Sequence, residues 1–291
     1  MFVKGIIVDF IYKPLMQNTT LIIAGMHRSG TSLITNWLNK CGLQLGETLM
    51  GAAPSNQEGH FEDLEFLKVH EEILEDNHLP SSGLTDEHHI PVSIYHKEKL
   101  KSVIKVKNKL YKQWGWKDPR TCLFLDTYKE LLPNARYLII IRDYKSVVSS
   151  LLQRDFKDID RKYMARGFFS RLIWKNFRRG RRLQSFYNSK TEYYLKVWIA
   201  YNEEILKSIE TLPQDSYVVL NYALLNDNDA RLCSFLKESW HLPLKYFKFN
   251  EVFKEKLINT PIDTDLFICN KSLINRASEI EQQLRNYMTV I

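Results

Sequence analysis

The chain has 291 residues, 44% hydrophobic and 26% charged, which excludes a disordered or low-complexity polymer and allows one large domain or two small ones. The four scattered cysteines, Cys41, Cys122, Cys233 and Cys269, form no C-x-x-C pair, so neither a disulfide framework nor a zinc site is expected, and reduced thiols in a cytoplasmic protein are the plain reading. Net charge is +7, but residues 154–182 alone carry eleven Lys/Arg against three Asp, so the rest of the chain is close to neutral and an anionic partner is expected at one place.

No apolar run approaches the roughly 18 residues of a transmembrane helix. Gly5–Tyr12 is apolar behind Lys4, but Asp9 interrupts it and Lys13-Pro14 end it. We read residues 1–18 as an extra strand or a docked N-terminal arm rather than a signal peptide. Thr19-Thr20-Leu21-Ile22-Ile23-Ala24 follows as a buried strand, then a helix from about Thr31 to Lys40 closed by Gly42. Residues 42–59 read as loop, Phe61 to about Asp76 as helix, and 77–93 as a surface loop or lid. Trp114–Lys117 is a short strand, Thr121–Leu132 a helix stopped by Pro133, and Arg136–Ile141 a second clear strand leading into a helix over 145–153. The basic segment and residues 191–210 read as two long helices. A strand at Tyr217–Leu220, a helix at 228–239 and a last helix near 275–287 complete the series.

Alternating strands and helices predict an α/β fold of P-loop type: a mostly parallel sheet flanked by helices on both faces, with helical insertions. We read residues 1–291 as a single domain whose basic helical region spans 154–210. Ligands of such sheets bind beyond the carboxyl ends of the strands, so the loops after Ala24, Trp116 and Ile141 are expected around one cleft.

Gly25-Met26-His27-Arg28-Ser29-Gly30-Thr31-Ser32 lies between the first strand and the first helix. Its two glycines, five apart, have the spacing of a loop whose amides wrap a phosphate at a helix N-terminus. A nucleotide triphosphatase would carry Lys where Thr31 stands; here the positive charge sits on Arg28, which disfavours Mg-dependent phosphoryl transfer. Arg142 leaves the end of a strand, and Ser150 follows two helical turns later. That pair suits a second phosphate, the alternative being a surface Arg142–Asp143 pair. Lys117, in Trp116-Lys117-Asp118-Pro119-Arg120, can neutralise charge on a leaving group.

Over roughly residues 20–225 this ordered set resembles the sulfotransferases that use 3′-phosphoadenosine 5′-phosphosulfate (PAPS). It lies nearer their bacterial and Golgi-type, tyrosylprotein-like branch than the cytosolic one. The resemblance implies that Gly25, His27, Arg28, Ser29, Gly30, Thr31 and Ser32 hold the 5′-phosphosulfate, Arg142 and Ser150 the 3′-phosphate, and Tyr222 the adenine region. It also implies PAPS as donor, PAP as product, no metal, and a hydroxyl acceptor, which the basic segment suggests is anionic. Arg28 and Lys117 match the Arg of the 5′ loop and the Lys of the Lys-Asp-Pro stretch in the Golgi-type branch, and Gly59-His60-Phe61-Glu62-Asp63 is similar to bacterial relatives. The cytosolic branch carries a C-terminal Gly-rich motif, whereas this chain has no glycine after Gly180, leaving Lys254, Lys256 and Lys271 as candidates for that part.

For the general base the resemblance favours Glu62, with His60 as runner-up and Glu47 and Glu58 in reach of the loop. A helix-dipole role in the first turn is the competing account of Glu62, Asp63 and Glu65. Phe168, Phe169, Trp174, Phe177 and Tyr187 interleave with the basic charges, either beside the acceptor site or as buried faces of amphipathic helices. Rival readings are an atypical P-loop nucleotide kinase, a non-catalytic nucleotide-binding protein, and a nucleic-acid binder that uses the basic segment.

Overall fold

A computed structural model describes residues 18–51, 59–254 and 260–289. All but the last residue of the expected N-terminal arm, together with Glu58 and Lys256, lies outside these residues.

Four strands, β1 (Thr19–Ala24), β2 (Gln113–Lys117), β3 (Arg136–Ile140) and β4 (Tyr217–Leu220), form a sheet of order β2-β1-β3-β4 with every pairing parallel. Parallel neighbours need crossovers, and the helices supply them. Because side chains alternate across a strand, each apolar run feeds two cores. Leu21, Ile23, Leu138, Ile140, Val218 and Leu220 face α1 (Thr31–Lys40) and α8 (Leu225–Glu238). Ile22, Ala24, Tyr137, Ile139 and Val219 face the other way. There they meet α2 (Leu64–Asp76), α3 (Ile94–Leu110), α4 (Leu125–Leu131), α5 (Tyr144–Met164), α7 (Arg179–Thr211) and α9 (Lys271–Asn286). The expected α/β architecture is therefore present, with β1 central and the carboxyl ends of β1, β2 and β3 side by side.

Four expectations change. Helix α3 was not anticipated, because its buried side chains are few (His96, Leu100, Ile104, Lys107) and one is a lysine. The helix expected over Thr121–Leu132 begins as a 3-10 turn, Pro119–Phe124, before α4. The helix expected over 145–153 runs on to Met164 as α5. The two long helices expected beyond it are instead the end of α5, a short α6 (Phe168–Ile173), a π-helical turn at Trp174–Arg178, and α7. Of the interleaved aromatics, Trp174 is buried, Tyr187 half-buried, and Phe168, Phe169 and Phe177 exposed, so the buried-face reading fails for those three. Among the described residues no helix is long and apolar enough to cross a membrane.

Lys107 ties Glu47, which follows α1, to the start of α2. Its ammonium is buried and lies 2.9 Å from Asp63 and 2.6 Å from Glu65, with Glu47 as a third partner. These three carboxylates converge as a cation site would, and Lys107 is the cation. Glu47 is thereby drawn to Lys107 rather than to the Gly25–Ser32 loop.

Candidate active site

The loop after β1 enters α1 through two left-handed residues, Arg28 (φ 67°) and Gly30 (φ 96°). A side chain at Gly30 would be strained by that φ, and its Cβ would stand 2.5 Å from the Tyr222 ring, so glycine is required here. Helices α2, α3 and α5 begin with side-chain caps from Asp63, Ser93 and Asp143. Helix α1 has none, and no acidic residue in its first turn. Its leading amides and positive dipole end are left for an anion.

Arg28 joins the two expected phosphate positions. Its Nε donates to Ser150 Oγ at 2.9 Å, and its carbonyl accepts from Arg142 at 2.9 Å. The Arg142 guanidinium also lies 5.6 Å from the centre of the Tyr222 ring. Asp143 is not its partner: that carboxylate caps α5 through the Ser146 amide at 2.8 Å. Burial, then Arg154 and Arg142, bring Arg28 down to about 10, which leaves it charged near neutrality. Beside it, burial, Arg120 and Arg154 push His27 down to about 3, so that imidazole is neutral, and its buried Nε2 has no hydrogen-bond partner among the described residues.

On the other side of the loop, Lys117 leaves the end of β2 fully buried and donates to Glu62 Oε1 at 2.9 Å and to Ser32 Oγ at 3.3 Å. Glu62 is held by an antiparallel bracket in which Met50 N donates to Glu62 O, Phe61 N to Met50 O, and Leu64 N to Thr48 O. The residue capping α2 is Asp63, accepting from the Glu65 amide at 2.9 Å. Glu62 therefore precedes the helix, and the helix-dipole account does not place it. Burial raises its pKa against the opposing pull of Lys117, while burial lowers that of Lys117 against the pull of Glu62. His60 Nδ1 stands 3.9 Å from Glu62, its pKa lowered by burial and by Lys117, and its carbonyl accepts from Ser32 Oγ at 3.4 Å.

The sequence reading missed Arg120 and Asp118 as parts of this site. Arg120 lies 3.9 Å from Glu62 Oε2 and 3.0 Å from Asp118 Oδ1. Burial alone would raise Asp118, but Arg120 and His70 hold it well below the usual carboxylate range. His70 completes the support, bonded to Asp118 at 3.0 Å and to Tyr128 at 2.6 Å. Arg154 was also missed; it follows Ser150 by one helical turn, a spacing that could have revealed it. A cavity of about 490 Å³ is lined by Arg28, Arg154, Lys157, Arg161 and Arg179 together with Asp158 and Asp160, which pair with Arg161 and Arg179. Of the C-terminal candidates, Lys271 opens α9, whose start is tied to Glu192 of α7 rather than to the loop.

A parallel α/β sheet with an uncapped, glycine-bent turn and nearby cations at the carboxyl ends of its strands gives the chain an edge suited to an anion. Residues 20–241 match the family model described as Sulfotransferase family, and the chain belongs to that family. It is 47% identical over 38 residues to a Caenorhabditis elegans protein named as a protein-tyrosine sulfotransferase, a match covering 13% of this chain and 15% of that protein's length. The fold is similar to a Mycobacterium avium sulfotransferase, STF9, with a TM-score of 0.53 at 13% identity, covering 91% of this chain and 76% of the other. It is also similar to Mycobacterium tuberculosis STF1, with a TM-score of 0.50 at 12% identity and coverage of 90% and 77%.

Proposed function

We propose that the chain transfers a sulfuryl group from PAPS to an acceptor hydroxyl and releases PAP. The observation that carries this reading is the Arg28 fork, which ties the uncapped α1 loop to Ser150 and Arg142 and so sets two anion positions side by side. An adenosine carrying phosphates at both its 3′ and 5′ positions needs that pairing, whereas AMP or ATP needs one end alone. The site also fits the donor in detail: glycine where a Cβ would strike Tyr222, and an unpartnered neutral His27 nitrogen at the loop.

In this proposal the loop amides and Arg28 hold the 5′-phosphosulfate, and Arg142 with Ser150 holds the 3′-phosphate. Tyr222 packs beside both. Lys117 faces charge developing on the departing phosphate oxygen, and fixed positive groups aimed at that oxygen lower the barrier. Glu62 takes the acceptor proton. Its burial raises its proton affinity, against which Lys117 pulls the other way while holding the carboxylate in place. His60, its pKa lowered by burial and by Lys117, is a weaker base than a free imidazole. The cavity that Arg28 lines receives the acceptor, and its five cations outnumber Asp158 and Asp160, which favours an anionic one. We assign the protein to the cytoplasm on the reading of its four free cysteines as reduced thiols.

A thermal-shift comparison tests the donor. PAP is expected to raise the melting temperature clearly more than AMP or ATP at equal concentration, and Arg142→Ala is expected to erase that preference. Equal shifts for all three nucleotides would favour the nucleotide-kinase or non-catalytic nucleotide-binding reading instead.

A further inference from the structure

We propose that the turn joining α5 to α7 is a membrane-docking element that seats the protein on a bilayer rich in anionic headgroups. Between Phe168 and Arg178 the only buried residue is Trp174. Its ring stacks on Tyr163 at 3.9 Å, and its Nε1 donates to Asp160 at 2.8 Å, which fixes one side of the turn to α5. Away from that side project Phe168, Phe169, Leu172, Ile173 and Phe177, which are 63, 78, 45, 44 and 72% exposed. Five large apolar side chains in one exposed turn are what an interaction surface carries, and scattered surface residues do not cluster so.

The charges around them favour one occupant. No Asp or Glu occurs from Arg161 to Thr191, while Arg166, Arg171, Lys175, Arg178, Arg181 and Arg182 surround the apolar side chains. Arg171, Lys175, Arg178 and Arg182 recur at helical spacing, so they run as a stripe beside the apolar arc. Phenyl and branched aliphatic groups enter the boundary between headgroups and acyl chains, while long basic side chains reach back to lipid phosphates. A second copy of this chain would bring two wholly cationic rims together. An acidic peptide needs the cations but not five exposed apolar groups. Single-stranded nucleic acid stacks on flat rings along a groove, whereas Leu172 and Ile173 offer no π face.

Arg161 and Arg179 lie in this charged segment and also line the cavity that Arg28 lines. Docking itself does not depend on the reaction proposed above.

The test uses the full chain and sedimentation with vesicles of phosphatidylcholine alone or mixed with phosphatidylserine. Binding is expected on the mixed vesicles only and is expected to weaken as salt rises. Phe168→Ser/Phe169→Ser/Phe177→Ser and, separately, Arg171→Glu/Lys175→Glu/Arg178→Glu are each expected to cut partitioning about tenfold or more, with the melting temperature and the PAP response unchanged. Five outcomes would each overturn the proposal: no sedimentation with either vesicle, equal binding to both, full binding by the serine variant, a concentration-dependent dimer that the serine variant abolishes, or RNA binding that the serine variant abolishes.

Discussion

Lys117 and Glu62 are each buried in the presence of the other, and neither has another oppositely charged group as near. Removing one partner strands the other charge away from water. Lys117→Met is therefore expected to lower unfolding free energy by about 3–5 kcal/mol, read from urea denaturation. Glu62→Gln keeps a hydrogen-bonding oxygen for Lys117 but cannot take a proton. Its turnover is expected to fall about 10²- to 10⁴-fold while PAP still raises its melting temperature. If Glu62 is the base it must be ionised in the wild type, so turnover is expected to rise as pH climbs through its raised pKa. That acid limb is expected to disappear from the residual activity of Glu62→Gln. An unchanged limb would move the proton to His60. At Gly30, alanine meets both a left-handed φ of 96° and the Tyr222 ring. Gly30→Ala is expected to abolish the PAP thermal shift at a stability cost of about 1–3 kcal/mol.

Among the elements, the stretches 42–51 and 59–63 depend on α3 for their placement. Lys107 reaches out of α3 to Glu47, Asp63 and Glu65, and the second stretch carries His60 and Glu62. Lys107→Met would leave three carboxylates facing one another, one of them buried. Faster hydrogen exchange at residues 59–64 is expected, together with a loss of about 3 kcal/mol or more in unfolding free energy. The strands were legible because buried parallel strands are continuous apolar runs, and Leu21–Ala24, Leu138–Ile140 and Val218–Leu220 are of that kind. Helix α3 was not, since a charged side chain stands in its buried row and its partners are distant in sequence. For the same reason Arg120 and Asp118 escaped notice: their importance comes from Glu62, more than fifty residues earlier. The loop at Gly25–Ser32 and the Arg142–Ser150 spacing were legible because each is local. That Arg28 bonds to Ser150 was not, because that contact joins residues 122 apart.

At the scale of the molecule, strand order puts β1 between β2 and β3, so the loop at Gly25, Lys117 and Arg142 must meet at one edge of the sheet. Binding at that edge engages three strands and both helical layers at once. A ligand that binds only the folded chain stabilises it by about 2.7 kcal/mol at a hundred times its dissociation constant, and PAP is expected to do so with a cooperative, concentration-dependent melting curve.

Arg28 hands its side chain to Ser150 and its main-chain oxygen to Arg142, so the two proposed anion subsites are mechanically joined. Substitutions at one end will not sum with those at the other. In a cycle of Ser150→Ala, Arg142→Ala and the double variant, the effects on PAP affinity are expected to depart from additivity by about 0.5–3 kcal/mol.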